Sequence, residues 1–353
     1  MRSMKAKLRG FVVLALVVFL SWPDTSHYFA QSLGSTARWS GSWSVSPWIV
    51  SDNGFNNQTV RQIVHTSIGG TAARVRFSNA YGAQPVTIGD VHLAQRASGA
   101  QTVAGTDRSV TFNGQSYVTI PAGGSVQSDA VAFDVPALAD IAVSAHLPSQ
   151  TPPGSTGHVD ALQNVYVAPG DVSADLSFAG DVTNPGGRQS YYFLTNLDVV
   201  NTATTGAVVA FGASITDGLA STANTNRRWP NWLAERLIVT GMNVGLLNQG
   251  ISGNELFRDG VGQAGVTRFK RDVLGQSNAK WVIISDDAIN SLTSSSPPNL
   301  QKLVSGYQQM IAFAHGAQMS VICSTLTRVG LVADGGRHAR ELQSVSAQRR
   351  QRL

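Results

Sequence analysis

From about residue 39 to residue 200 the chain is built of short runs in which apolar and polar positions alternate. Ala73, Val75 and Phe77 alternate with Arg74 and Arg76, and the same two-residue period runs through Val131, Phe133 and Val135 and through Ile141 and Val143. Successive side chains of a strand point to opposite faces, so this period predicts strands with one buried and one open face. Asn113-Gly114 stands between apolar runs at 109–112 and 117–120, and that dipeptide favours a tight hairpin because both positions tolerate positive φ. The pattern predicts an antiparallel β-sandwich over 39–200.

After Thr205 the period changes. Apolar runs of strand length at 207–212, 244–248, 281–285 and 320–326 carry no alternation, as expected of strands covered on both faces. Between them, Leu300, Leu303, Val304, Tyr307, Ile311 and Ala314 recur at helical spacing, with Gly316 placed to end the helix. Trp229, Trp232, Leu233, Arg236 and Leu237 predict another helix, with Pro230 in its first turn. Repeated strand–helix–strand units imply a parallel sheet between helical layers, so 205–353 is predicted to be an α/β three-layer domain of flavodoxin-like type. A chain of 353 residues exceeds the usual size of one hydrophobic core, which agrees with two domains.

The chain ends change the picture of charge and location. Arg2, Lys5, Lys7 and Arg9 precede an apolar run at 11–20 that is too short to span a bilayer, and small and polar residues follow up to Ala30. Residues 1–30 are therefore expected to be a signal peptide, giving a secreted, extracellular protein with no stable membrane span after cleavage. The net charge of +5 sits at the termini. Residues 1–30 hold four basic residues and one acidic, and 337–353 hold five Arg against Glu341, which leaves 17 basic and 19 acidic residues elsewhere. No basic face for nucleic acid is predicted. Cys323 is the only cysteine, which excludes an intrachain disulfide; it lies in the run at 320–326 and is expected to be a buried, inert thiol.

In an open parallel sheet, ligands bind beyond the carboxyl ends of the strands. There the sequence places Gly212-Ala213-Ser214-Ile215-Thr216-Asp217-Gly218, then Asn248-Gln249-Gly250-Ile251-Ser252-Gly253-Asn254, then Asp286-Asp287-Ala288-Ile289-Asn290. A hydroxyl, a glycine-rich turn with free N–H groups and a carboxamide would face one crevice, a combination suited to acyl transfer. Thr216 stands where a Gly-x-Ser-x-Gly elbow needs its second glycine, and no phosphate-cradling glycine motif is present, so this is not an α/β-hydrolase serine. Asp286 and Asp287 are adjacent and should point to opposite sides rather than share a site. His65, His92, His146, His158 and His315 show no metal-ligand spacing and read as surface or strand residues, and Trp43, Trp48 and Tyr81 read as core aromatics.

These blocks resemble the SGNH (GDSL-like) hydrolases and esterases, in the branch with an N-terminal β-sandwich. Phe211–Gly218 resembles their Gly-Asp-Ser block, Gly250-Ile251-Ser252-Gly253-Asn254 their glycine block and Ala288-Ile289-Asn290-Ser291 their Gly-x-Asn-Asp block, and Arg268-Phe269-Lys270-Arg271-Asp272-Val273-Leu274 is also similar. The resemblance implies Ser214 as nucleophile, with its own N–H, the Gly253 N–H and the Asn290 side chain as the oxyanion hole. It further implies no metal and no organic cofactor, and carboxylic ester substrates: lipids, short acyl esters or acetylated sugars.

Several positions depart from the family pattern. Ala213 replaces an Asp, Ala288 a Gly and Ser291 an Asp, so the supports that hold the loops are expected to be missing. The Asp-x-x-His block that supplies the catalytic histidine and aspartate is not found. Asp334-Gly335-Gly336-Arg337-His338 has one residue too many between Asp and His, and the Arg-rich tail reads as a truncated or frameshifted end. The alternative expectation is a catalytically inactive SGNH-like protein that binds carbohydrate or acyl ligands.

Overall fold

The computed structural model describes residues 38–177 and 189–325. The expected signal peptide, His338 and the Arg-rich tail lie outside the described residues.

Alternation becomes a two-layered antiparallel β domain. One sheet orders Trp39–Ser44, Leu194–Val200, Gly70–Ser78 and Val131–Val135, with Ser125–Gln127 also paired to Gly70–Ser78. The other orders Val165–Pro169, Gln58–His65, Asp140–Leu147 and Val86–Ser98, with shorter strands on the last. Ala73, Val75 and Phe77 are buried between the layers while Arg74 and Arg76 are half-buried on the other face, where they donate to Ser277 Oγ and Gly275 O. Phe133, Val135, Ile141 and Val143 join the same core. Asn113 and Gly114 both adopt positive φ, between the bridged residues Phe112 and Gln115. A third, three-stranded sheet runs Tyr191–Tyr192, Thr156–His158, Trp48–Ile49.

The second half is a parallel sheet in the order Val244–Gly250, Gly206–Gly212, Ala279–Ile284, Ser320–Cys323. All seven residues of the central strand Gly206–Gly212 are buried, which is why no alternation marks it. In chain order the strands stand 2-1-3-4, so the order reverses between the first strand and its neighbours and opens a crevice at their carboxyl ends. Among the described residues no helix is long and apolar enough to cross a membrane.

Helix Leu300–Gly316 begins at Asn299, whose side chain accepts from the Lys302 N–H at 2.8 Å. Its buried positions are Gly306, Met310 and Ala314, whereas Leu300 and Val304 are exposed. The apolar stripe in the sequence therefore lies partly off the buried face. A Cβ on Gly306 would stand 2.5 Å from the Phe257 ring, so the helix approaches its neighbour through that glycine. Cys323 also differs from expectation: it is exposed, because its strand is the outer one of the described sheet.

The two halves are joined by hydrogen bonds as well as by packing. Gly41 N–H donates to Ser277 O at 3.0 Å, Leu246 N–H to Ser67 Oγ at 2.9 Å, and Asn196 Nδ2 to Gln276 Oε1 at 2.7 Å. The strand Trp39–Ser44 lies so close to Val244–Gly250 that a Cβ on Gly245 would sit 2.2 Å from the Gly41 carbonyl oxygen. Gly245→Ala should therefore lower stability by about 1–3 kcal/mol through forced separation of the two strands. Urea unfolding read by tryptophan fluorescence measures it; a wild-type midpoint would show that the contact yields without cost.

Candidate active site

The three expected loops meet at the carboxyl ends of the first three parallel strands. Ser214 opens a single helical turn, Ser214–Asp217, directly after the first strand; its side chain is half-buried and among the described residues makes no hydrogen bond. Gly253 is exposed and has φ of 82°, the left-handed region that favours glycine. Among the described residues neither the Ser214 N–H nor the Gly253 N–H donates to a protein acceptor. Asn290 lies in helix Asp287–Thr293 and donates one amide hydrogen to Asn254 O at 2.8 Å, which ties the third loop to the second.

The Ser214 turn is held by a residue outside the blocks that carry the family resemblance. Asp286 Oδ1 accepts from the Ala213 N–H at 3.0 Å and from Thr216 Oγ1 at 2.6 Å, while Oδ2 accepts from the Ile215 N–H at 2.8 Å. Asp286 is the N-cap residue of its own helix, yet its carboxylate caps nothing there. A Cβ on Gly212 would lie 2.2 Å from both Asp286 Oδ1 and Thr216 Oγ1, so the glycine makes room for the clamp. The expected loss of loop supports is corrected here. Asp286 grips both sides of Ser214 where Ala213 cannot, and Ser291 Oγ accepts from the Leu256 N–H at 2.8 Å.

Asp287 takes a different partner from Asp286. Its Oδ1 receives Arg268 Nη2 at 3.2 Å, so adjacent carboxylates do serve separate sites. Arg268 is fully buried and spreads its donors over four segments: Gly212 O at 2.8 Å, Gln249 O at 2.8 Å, Asn254 Oδ1 at 2.9 Å and Ser46 Oγ at 3.1 Å. It also meets Asp272 Oδ2 at 3.1 Å and lies over the Phe211 ring at 4.0 Å from the centroid.

Asp217 completes the framework. Its Oδ2 accepts from the Ser252 N–H at 2.8 Å and Ser252 Oγ at 2.6 Å, and its Oδ1 lies 3.0 Å from His158 Nε2. His158 is thus buried against the Ser214 turn and is not a surface residue. Its strand is too short, and the histidine too isolated in sequence, for periodicity to reveal that contact. Beside this pair lies a cavity of about 40 Å³, lined among others by Trp43, Tyr191, Arg228 and Asn248 but not by Ser214. Trp43 is buried edge-on against Tyr191, whereas Trp48 and Tyr81 pair edge-on in partly exposed positions.

Asp90, His146 and Asp171 bring one potential ligand atom each within 4.8 Å of the others on the larger sandwich sheet, a proximity that sequence spacing does not show. This half-exposed group shares no residue with the three loops.

Burial pushes the Asp287 carboxyl up to about 7, against the opposing pull of Arg268. A carboxyl whose pKa is raised on folding contributes stability below its unfolded pKa and loses it as pH rises through the folded value. The Asp287 contribution should therefore make wild-type thermal stability fall between about pH 4 and about pH 7, and Asp287→Asn should flatten that slope. Parallel slopes in calorimetry of the two proteins would refute the assignment.

The model of the GDSL-like Lipase/Acylhydrolase family matches residues 210–353. No curated protein matches the chain. Solved structures similar to it include AlinE4, an SGNH-hydrolase family esterase, at 17% identity over 42% of this chain and 72% of that one, with a TM-score of 0.34. A GDSL-like lipase from Bacteroides thetaiotaomicron is 20% identical over 40% of this chain and 61% of that one, with a TM-score of 0.29. A family two carbohydrate esterase from Cellvibrio japonicus is 11% identical over 90% of this chain and 84% of that one, with a TM-score of 0.32. Behind the β-rich N-terminal half, residues 210–353 thus match the GDSL-like lipase/acylhydrolase family model, a match that takes in the whole of the described parallel sheet from Ala210 onward.

Proposed function

We propose that this protein is a secreted carboxylic ester hydrolase in which Ser214 is the nucleophile. The observation that carries the reading is the pair of unengaged N–H groups, on Ser214 and Gly253, beside an unengaged serine hydroxyl at the carboxyl edge of the sheet. In this reading Ser214 Oγ attacks the acyl carbon of the ester. The carbonyl oxygen becomes an oxyanion held by the Ser214 N–H, the Gly253 N–H and the second amide hydrogen of Asn290. The alcohol then leaves, and water releases the acid from the acyl-serine. Each such donor is typically worth about 10²–10³ in rate. The substrates proposed are esters of lipids, short acyl chains or acetylated sugars.

The serine gives its proton to solvent water as it attacks, since among the described residues no histidine hydrogen-bonds it, and the departing alkoxide takes a proton back from water. His158, the histidine nearest in partnership, is committed to Asp217 and Ser46. Stabilisation of the oxyanion without a triad still leaves about 10³–10⁴ over the uncatalysed rate. Purified protein should therefore hydrolyse a short-chain nitrophenyl ester above the buffer rate, and mass spectrometry of the quenched reaction should find the acyl group on Ser214, a modification that Ser214→Ala abolishes. Equal acylation of the two proteins, or none in the wild type, would sink the nucleophile assignment; saturable binding of an acyl or sugar ligand would then favour the binding reading.

Export is supported by the basic residues ahead of the apolar run at 11–20. N-terminal sequencing of protein recovered from the culture medium should start near residue 31. Retention of Met1 in a cell-bound product would refute secretion by this route.

A further inference from the structure

His158 has an acceptor at each ring nitrogen. Nδ1 lies 2.8 Å from the Ser46 carbonyl oxygen and Nε2 lies 3.0 Å from Asp217 Oδ1. A carbonyl and a carboxylate can only accept, so the ring satisfies both as the imidazolium, which donates at both nitrogens. The two side chains are 4% and 3% exposed. Burial opposes the charge, and Asp217 together with the Ser46 carbonyl outweighs it, holding the histidine above its ordinary value.

The same carboxylate reaches the glycine turn. Asp217 Oδ2 takes both donors of Ser252, the residue before Gly253, while the Asp217 backbone N–H closes the nucleophile turn on Ala213 O at 2.9 Å. One buried anion therefore sets the spacing between the turn that bears Ser214 and the turn that bears Gly253. Its counter-charge comes from the strand Thr156–His158 of the β-rich half.

We propose that His158 is a positioning residue of the ester-hydrolysing site. It is a cation delivered by the β-rich half, and it fixes Asp217 so that the Gly253 N–H stays aimed at the acyl oxygen. The proposal rests on the assignment of Ser214 and Gly253 above and deepens it.

The surroundings of the imidazole set the direction of its pH response. Asp217 faces it from the nucleophile turn and the Ser46 carbonyl from the turn after Trp39–Ser44, while Arg228 opposes its charge. His65, itself paired with Asp140 at 2.7 Å, and the neutral Asn226 and Asn248 line the same cavity. The ion pair is complete below the ordinary histidine pKa and is lost as pH rises through the raised folded value. Above that value Asp217 remains buried with the two Ser252 donors and no counter-ion, a costly arrangement that relaxes the turn.

The test uses the full chain, labelled with nitrogen-15, as wild type, His158→Gln, His158→Phe and Ser214→Ala. In the wild type the amide resonances of Ser252 and Gly253 should shift together with a midpoint above the ordinary histidine value, and that step should vanish in His158→Gln. His158→Phe should lower kcat for a nitrophenyl ester by about 10–100-fold with KM within about twofold, the cost of a misplaced catalytic group. His158→Gln, which can still donate to Asp217, should retain more of the rate than His158→Phe. Two results overturn the proposal: amide titrations that are the same with and without His158, or wild-type kcat in His158→Phe while Ser214→Ala is inactive. If Ser214→Ala has no effect on turnover, the nucleophile assignment and the catalytic half of the proposal fall together. The amide titration still decides whether His158 governs the Gly253 turn.

Discussion

The buried guanidinium of Arg268 is the constraint around which this molecule is arranged. A charge with no exposed surface is tolerated only when its donors are satisfied and its charge compensated. Here the acceptors come from the ends of two strands, from the glycine turn, from the first β-rich segment and from two carboxylates. None of those segments can shift without leaving a buried donor unmade. The position of Gly212, immediately before the nucleophile turn, is therefore set by the same cation that fixes Asn254 beside Gly253.

Three loop carboxylates divide the work. Asp286 holds the backbone on both sides of Ser214, Asp287 accepts from Arg268, and Asp217 joins the Ser214 turn to the glycine turn. Their environments separate their chemistry. Asp286 and Asp217 each accept several hydrogen bonds from the loops around them. Asp287 Oδ2 is buried without a partner among the described residues, and its carboxyl is the one driven upward. Beside Ala213 the anchoring carboxylate reaches in from the third loop as Asp286.

Much of the fold was legible in the sequence because it depends on local period. Alternation in Ala73–Phe77 and its loss in 207–212 separated an antiparallel layer from a doubly covered parallel strand, and the loops after those strands followed from chain order. The cross-loop contacts were not legible. Which of Asp286 and Asp287 turns toward Ser214 depends on how the third strand ends and its helix begins. Nothing around His158 in the chain signals that a distant loop supplies its partner. Cys323 shows the converse error: an apolar run was read as burial, though the strand lies on the outer side of the described sheet.

The contacts across the two halves change what the β-rich region is for. A separately folding binding module would meet the α/β domain through a polar, replaceable surface. Here instead strand Trp39–Ser44 packs within glycine distance of the sheet, Ser46 reaches Arg268, and the Ser44 hydroxyl accepts from the buried Gln249 amide at 2.6 Å. These are interior contacts, satisfied on both sides and unavailable to water. The β-rich half therefore acts as the inner wall behind the Ser214 and Gly253 turns. An α/β domain separated from it would carry Arg268 without the Ser46 acceptor and Asp217 without its imidazolium. The site geometry is consequently a property of the two halves together.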